Sequence, residues 1–426
     1  MSLIVSWLDA ANAPGCPFPV NNLPCGVFSA EGVPARCGVA VGDQVLDMRA
    51  MVAAGLVKID PALFAQPSWN AFMAAGASVW QHTRDSLQKL LAADGDRVLA
   101  EDSALRAKVF FSLDAVDLHL PFDVTEYTDF YAGRHHATNV GTLLRGADNA
   151  LSAKWLHIPI GYNGRASSVV VSGTDLRRPL GQRKPSGEDT PVFGPSRRLD
   201  FELELGAVVG TGSALGEPVS VAEADRMIFG YVLLNDWSAR DIQAWEYQPL
   251  GPFQAKAFAS TIGPWIVTRA ALEPFRVSTP PRELPLLPYL QEDGPLLYDI
   301  ALAVDYLPAQ STTWTRVTTT NYSHMDYASA QQLAHHAVCG CPMRTGDLLG
   351  SGTISGPERN MCGSLLELSW GGQEPLTLDC GAERRFLEDG DAIRLRGEAV
   401  GKGFTVGFGS CEGRVLAALE DPFGAT

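Results

Sequence analysis

The stretch "LDFELELGAVV", residues 199–209, carries the strongest fold signal in the chain. It reads as a β-strand, and successive side chains on a strand leave opposite faces. Glu202 and Glu204 therefore share one face, while Phe201, Leu203 and Leu205 take the other. A solvated acidic face explains an isolated pair of this kind. A shared cation is the alternative, and it needs more carboxylates. Asp236 supplies one at the end of the apolar run "FGYVLLND" (229–236), where burial is expected, and Asp129 in the turn-rich loop "EYTDFYAGRHHATNVG" (126–141) supplies another. No thiolate and few imidazoles accompany these four groups. Oxygen-only ligation favours Ca2+ or Mg2+ over Zn2+.

The same texture extends outward. From residue 119 onward, short apolar runs are broken by Gly and Pro, the pattern of a β-rich domain. "SSVVVSG" (167–173), "PWIVT" (264–268), "YDIALAVDYL" (298–307) and "SLLELSW" (364–370) join the two runs above as expected strands. Helices are expected over 238–247 and 326–338. Residues 1–118 read as a separate module, with a hairpin at 37–48 and an Ala/Leu-rich helical pattern between about 48 and 107. The Pro-containing segment "DAVDLHLPFDV" (114–124) reads as a linker. The fold class is mainly β (α+β), in two domains, 1–118 and 119–426.

Bulk composition narrows the function. Of 426 residues, 46% are hydrophobic and 19% charged, which excludes a disordered class. A formal net charge of -15 leaves no basic stripe to neutralise phosphates, so nucleic acid is excluded as a partner. The eight cysteines lack paired spacing and read as reduced thiols. Cys339-Gly340-Cys341 is too tight for a metal clip and reads as structural. "MSLIVSWLDAANAP" has no basic n-region, and no apolar run reaches the roughly 18 residues of a spanning helix. A cytoplasmic location, with no membrane partner, is expected.

After Asp236 comes "WSARDIQAWEYQPLGPFQAK". On a helix Arg240, Gln243 and Tyr247 fall at i, i+3 and i+7, one face, placed beside Asp236. Lys256 follows in a Gly/Pro-bounded loop as a second cationic donor. "VVGTGSALGEP" resembles a dinucleotide loop, but its third Gly is one residue late and no helix is expected to follow, so it reads as a hairpin turn. No Gly-x-Ser-x-Gly elbow occurs. His335-His336 reads as structural, and Arg134 as an ion-pair partner.

Six segments in order, "YTDFYAGRHHATNVGTLLRG", "WLHIPIGYNGRASSVVVSGT", "RRLDFELELGAVVG", "IFGYVLLNDWSARDIQAWEYQPLGPFQAKAF", "GDLLGSGTISGPE" and "GSLLELSW", closely resemble the fumarylacetoacetate hydrolase family, and its full-length rather than shorter members. The resemblance spans 119–420, and "GDQVLDM" extends it into the N-terminal module. It implies an N-terminal SH3-like barrel, a C-terminal mixed β-sandwich roll and a homodimer. It also implies hydrolysis of a carbon–carbon bond in a small β-diketo acid, 4-fumarylacetoacetate. Carried over by position, Asp129, Glu202, Glu204 and Asp236 match the metal carboxylates. His136 matches the general base and Glu367 its orienting carboxylate. Arg240, Gln243 and Lys256 match the oxyanion group. Tyr131, Arg145, Tyr162, Gln243, Tyr247 and Thr353 match substrate contacts, and Lys256 and Ser260 a second cation site. Ser260 stands where the family more often has Thr; Asn163 and His135 also depart from it.

Two rivals share the implied fold. Relatives hydrolyse acylpyruvates or decarboxylate oxaloacetate-like acids, and a non-catalytic, metal-stabilised scaffold is the other. A scaffold has no need of His136, Glu367 or the Arg240/Gln243/Lys256 group.

Overall fold

The 203–209 run forms a strand, Leu203–Val209, near the middle of an eight-stranded sheet, and all of its residues are buried. This is a computed structural model that describes residues 2–421, 423 and 424. The sheet runs in the order 161–163, 127–130, 348–350, 203–209, 228–236, 260–262, 169–171, with Val267–Thr268 also paired to the 228–236 strand. Its centre is antiparallel. The 348–350 and 127–130 strands pair in parallel, as do 260–262 and 169–171. Strand Ile228–Asp236 is buried from end to end. A strand covered on both faces has no wet side, which is why "FGYVLLND" shows no alternation.

Two layers do the covering. On one face Leu203, Leu205 and Leu233 share a core with Tyr306, Val406 and Phe408 of a second, five-stranded sheet. That sheet runs 315–321, 301–307, 392–400, 405–416, 176–177. On the other face Val208, Val232, Leu234 and Leu348 pack with Val27, Trp69 and Phe72 of the N-terminal module. The module contributes an antiparallel sheet in the order 110–112, 44–47, 33–41, 25–30, 117–119. Its helix Ala77–Leu91 buries Thr83, Leu87, Leu90 and Leu91, the i, i+4, i+7, i+8 stripe of an amphipathic helix. The module thus has no core of its own on this side; it shares one with the central sheet.

Five local expectations change. The "linker" 114–124 contains strand Asp117–His119, paired with Cys25–Ala30. "SLLELSW" is a short helix, Leu365–Leu368, not a strand. "VVGTGSALGEP" is no hairpin turn, because it leads into helix Val221–Met227 before the chain returns as the 228–236 strand. "YTDFYAGRHHATNVG" is strand Tyr127–Phe130 followed by helix Arg134–Arg145 rather than one loop. Lys256 sits on the short helix Gln254–Ala257. Helices interleave with strands throughout, so the architecture is mixed α/β rather than mainly β. All eight cysteines are free thiols, and no helix among the described residues is long and apolar enough to cross a membrane.

Candidate active site and metal centre

Strand alternation builds the site. Tyr127, Val208, Val232 and Leu234 meet the N-terminal module on one face of the central sheet. On that same face, towards one end of the same strands, stand Asp129, Glu204, Glu202 and Asp236. Ligand oxygens of these four lie within 4.8 Å of one another. Glu202 is 4% exposed and Glu204 and Asp236 are fully buried, so the solvated-face alternative does not hold.

Four buried carboxylates in one place repel each other and lose their hydration. Burial, and then the Asp236 charge, pushes the Asp129 carboxyl well above its ordinary range. Burial and the Asp129 charge do the same to Glu204. Asp129 Oδ1 and Glu204 Oε1 have no hydrogen-bond partner. Between them lies Gly350, where a β-carbon would come 2.5 Å from Asp129 Oδ1 and 2.9 Å from Glu204 Oε2. An oxygen-only donor set, two orphaned buried oxygens and a space kept open by a glycine fit a hard cation.

The other carboxylates are met by cations. Lys256 Nζ bonds Glu202 Oε2 and lies 2.6 Å from Asp236 Oδ2, while Ser260 Oγ donates to Asp236 Oδ1 at 3.1 Å. Burial alone would raise the Glu202 carboxyl, but Arg240, Lys256 and His136 hold it well below the usual range. The Tyr162 hydroxyl lies 2.9 Å from Asp129 Oδ2 and 2.8 Å from Asp236 Oδ2, and burial followed by those two charges keeps it protonated.

Arg240 Nε donates to Asp200 Oδ2 at 2.8 Å, and its Nη2 forms an ion pair with Glu202 Oε1 at 2.7 Å without hydrogen-bond alignment. Nη1 donates to Gln243 Oε1 at 3.3 Å. Burial would lower the guanidinium, but Glu202 and Asp200 hold it above its ordinary value.

His136 enters from the first turn of helix Arg134–Arg145. Its Nδ1 lies 2.7 Å from Glu367 Oε2, and its Nε2 faces Glu202 Oε1 at 3.7 Å. Glu367 is fixed in turn by Asn139 Nδ2 at 2.9 Å, Ser355 Oγ at 3.0 Å and Ser364 Oγ at 2.7 Å. Burial opposes its charge, yet His136 and these donors hold its carboxyl below the ordinary range. The Tyr131 ring stands edge-on to His136 with centroids 5.5 Å apart. Thr353 is buried in the loop after the 348–350 strand.

Two expected residues stay outside this cluster. Arg145 is exposed and donates through Nη2 to the Ala150 carbonyl at 2.7 Å. Tyr247 is half-buried just past helix Arg240–Glu246, its hydroxyl accepting from Gln248 Nε2 at 3.2 Å. Arg134 does pair with Glu283, at 2.6 Å.

Four contributors were not read from the sequence. Asp200 orients Arg240 and accepts from the Leu365 and Leu366 amides at 2.7 and 3.0 Å, tying the arginine to the helix of Glu367. Asn139, Ser355 and Ser364 fix Glu367. Asp200 lies inside "LDFELE", and its adjacency to the two glutamates was the available signal.

A mixed sheet whose strands deliver four buried carboxylates that could hold a metal ion beside a carboxylate-backed histidine has the parts of a hydrolase site, and the relatives are hydrolases. A family model described as Fumarylacetoacetase N-terminal matches residues 21–121, and one described as Fumarylacetoacetate (FAA) hydrolase C-terminal matches 125–416. The chain belongs to the fumarylacetoacetate hydrolase family. It is 48% identical to the fumarylacetoacetase of Arabidopsis thaliana over 421 residues, 98% of this chain and 99% of that one. With the Homo sapiens fumarylacetoacetase it shares 48% over 406 residues, 94% and 97% of the two chains. A solved fumarylacetoacetate hydrolase from psychrophilic Exiguobacterium antarcticum superposes with TM-score 0.53 at 16% identity, covering 93% of this chain and 99% of that one. That likeness concerns the fold alone.

Proposed function

We propose that the chain is a fumarylacetoacetase, hydrolysing the carbon–carbon bond of 4-fumarylacetoacetate to fumarate and acetoacetate in tyrosine and phenylalanine breakdown. One observation carries the reading: His136 is held by Glu367 on one ring nitrogen while the other faces Glu202 of the buried carboxylate cluster.

Glu367 accepts the Nδ1 proton and so fixes the tautomer in which Nε2 is the free base. Nε2 takes a proton from water, and the charged Glu367 stabilises the imidazolium that forms. The water oxygen attacks the carbonyl carbon beside the fumaryl group, giving a tetrahedral alkoxide. Arg240, Lys256 and Gln243 donate to that oxygen; losing one such donor typically costs about 10²–10³ in rate. Asp200 anchors Arg240 through Nε, which leaves the two Nη groups directed at the site. Collapse breaks the carbon–carbon bond, and the departing acetoacetate enolate takes up at carbon the proton that His136 removed from water, which restores the neutral imidazole. A divalent cation, Ca2+ or Mg2+, held by Asp129, Glu202, Glu204 and Asp236, supplies Lewis-acid stabilisation of the diketone's developing charge. Tyr131, Tyr162 and Thr353 contact the substrate in this reading, with Tyr247 and Arg145 meeting its outer part. The Lys256 ammonium has no lone pair, so a second cation would have to be held by the Lys256 carbonyl and Ser260 oxygens instead.

The finer architecture belongs to the same proposal: an SH3-like barrel at 1–118, a β-sandwich roll at 119–426, a homodimer and a cytoplasmic setting. The break between the two family models, at 121 and 125, supports that division. The test is loss of the diketone absorbance of fumarylacetoacetate with metal-defined protein, run beside acylpyruvate and oxaloacetate. Faster turnover of either competitor overturns the assignment.

A further inference from the structure

Helix Arg240–Glu246 ends on a carboxylate, the charge that the carbonyl oxygens of a helix C-terminus repel. Its partners explain the placement. Glu246 Oε1 accepts from the Phe253 and Ala255 amides at 2.8 Å each, and Oε2 accepts from the Gln254 amide at 3.1 Å. These are three successive amides at the start of helix Gln254–Ala257, whose own N-cap position, Phe253, offers no side-chain acceptor. The first amides of a helix need acceptors from outside it. Glu246 therefore caps the second helix from the end of the first.

Packing does little to hold the leading end of that second helix. The connection between the two runs over the surface, with Leu250 94% and Phe253 73% exposed. Ala255 shares a small core with Ala239 and Ile242. The next residue is Lys256, which is buried; its Nζ bonds Glu202 Oε2 and lies 2.6 Å from Asp236 Oδ2. A lysine carries its charge at the tip of a flexible stem, so its aim depends on where its backbone is held.

We infer that Glu246 is a positioning residue: by collecting the 253–255 amides it sets the backbone from which Lys256 reaches the carboxylate cluster and the developing alkoxide. The alkoxide contact rests on the proposed function. The Lys256 contacts to Glu202 and Asp236 stand without it, so the role of Glu246 can be read with no substrate present.

Calorimetric titration of Ca2+ into the EDTA-stripped full-length protein tests this. Lys256→Met removes a cation that competes for Glu202 and Asp236, and tightens Ca2+ binding at least about 10-fold. Glu246→Ala shifts the affinity the same way by a smaller factor, and adds nothing in the Lys256→Met background. Glu246→Gln keeps an acceptor for the Phe253 and Ala255 amides and stays near wild type. In steady-state turnover of fumarylacetoacetate, Glu246→Ala lowers kcat about 10–100-fold with KM nearly unchanged, and Glu246→Gln recovers most of the loss. Wild-type Ca2+ affinity in Glu246→Ala, an equal shift in both backgrounds, or Glu246→Gln no better than Glu246→Ala overturns the assignment. Absence of turnover in the wild type refutes the proposed function instead, and the titrations still decide on Glu246. Should Lys256→Met fail to fold, the comparison of Glu246→Gln with Glu246→Ala decides alone.

Discussion

Gly350→Ala isolates the metal centre without touching a ligand. Gly350 sits in strand Leu348–Gly350 with an ordinary extended backbone, so alanine is conformationally free there and lowers the entropy of the unfolded chain slightly. The new methyl carbon, however, arrives 2.5 Å from Asp129 Oδ1 and 2.9 Å from Glu204 Oε2. Carbon and oxygen settle near 3.4 Å or beyond, so both carboxylates must withdraw by about 0.5–1 Å. Metal sites tolerate ligand displacements of only about 0.2 Å. The atoms met are the tips of side chains, not backbone, so the sheet itself need not move.

Disturbing ligand support typically costs about 10–100-fold in metal affinity, and that is the expected loss. Circular dichroism and thermal unfolding of the metal-stripped protein should match wild type within about 1 kcal/mol. Calorimetric titration of Mg2+ and Ca2+ into EDTA-stripped protein reads the loss directly, and turnover against metal concentration reads it again. Wild-type affinity and turnover in a folded Gly350→Ala protein would refute the cradle, and with it the idea that Asp129 and Glu204 act together.

Other substitutions address the remaining parts. His136→Gln should lose several orders of magnitude in kcat while still binding metal, and adding Glu367→Gln should cost little more if the two act as a unit; near-normal turnover in His136→Gln sinks the base assignment. Arg240→Ala should lower kcat more than it raises KM, by about 10²–10³, and a pure KM effect in steady-state kinetics would reassign it to substrate binding. Burial, assisted by the Glu126 charge, pushes the Asp347 carboxyl up to about 6. A carboxyl raised on folding stabilises below its unfolded pKa of roughly 4 and loses that contribution as pH rises through about 6. Asp347→Asn should therefore gain on wild type by about 1–2 kcal/mol between pH 4 and pH 7 in denaturant melts, and a pH-independent difference would remove the effect.

What the sequence made legible follows from how local each signal is. Glu202 and Glu204 were readable because strand periodicity needs only neighbouring residues. Their burial was not, since it depends on the helices of His136, Lys256 and Glu367, the nearest of these residues 54 positions from Glu202 in sequence, closing over that end of the sheet. "SLLELSW" misled because a short apolar run fits either period. Yet Ser364 with Glu367 three residues on is a capping pattern, and the Ser364 hydroxyl does accept from the Glu367 amide at 3.4 Å. Asp200 was unreadable as a positioning group because its partners, Arg240 and the 365–366 amides, lie 40 and 165–166 residues away. Gly350 carried no pattern at all; its meaning is the absence of a side chain between two carboxylates that only the register brings together.

That register explains why the two parts of the chain belong in one molecule. The residues that the module covers and the residues that can hold the cation alternate along the same strands and leave the same face: Tyr127 with Asp129, Val208 with Glu204, Leu234 with Asp236, Ile262 with Ser260. Each strand is apolar where the module packs and acidic or hydroxylated beyond it. The flanking helices of His136, Glu367 and Lys256 close over the acidic end. A carboxylate cluster displayed on an open sheet would stay hydrated and bind cations weakly. Here the covering helices remove the alternative of solvation, so the charges are left with Lys256 and Arg240 as partners and with a cluster that could hold a cation.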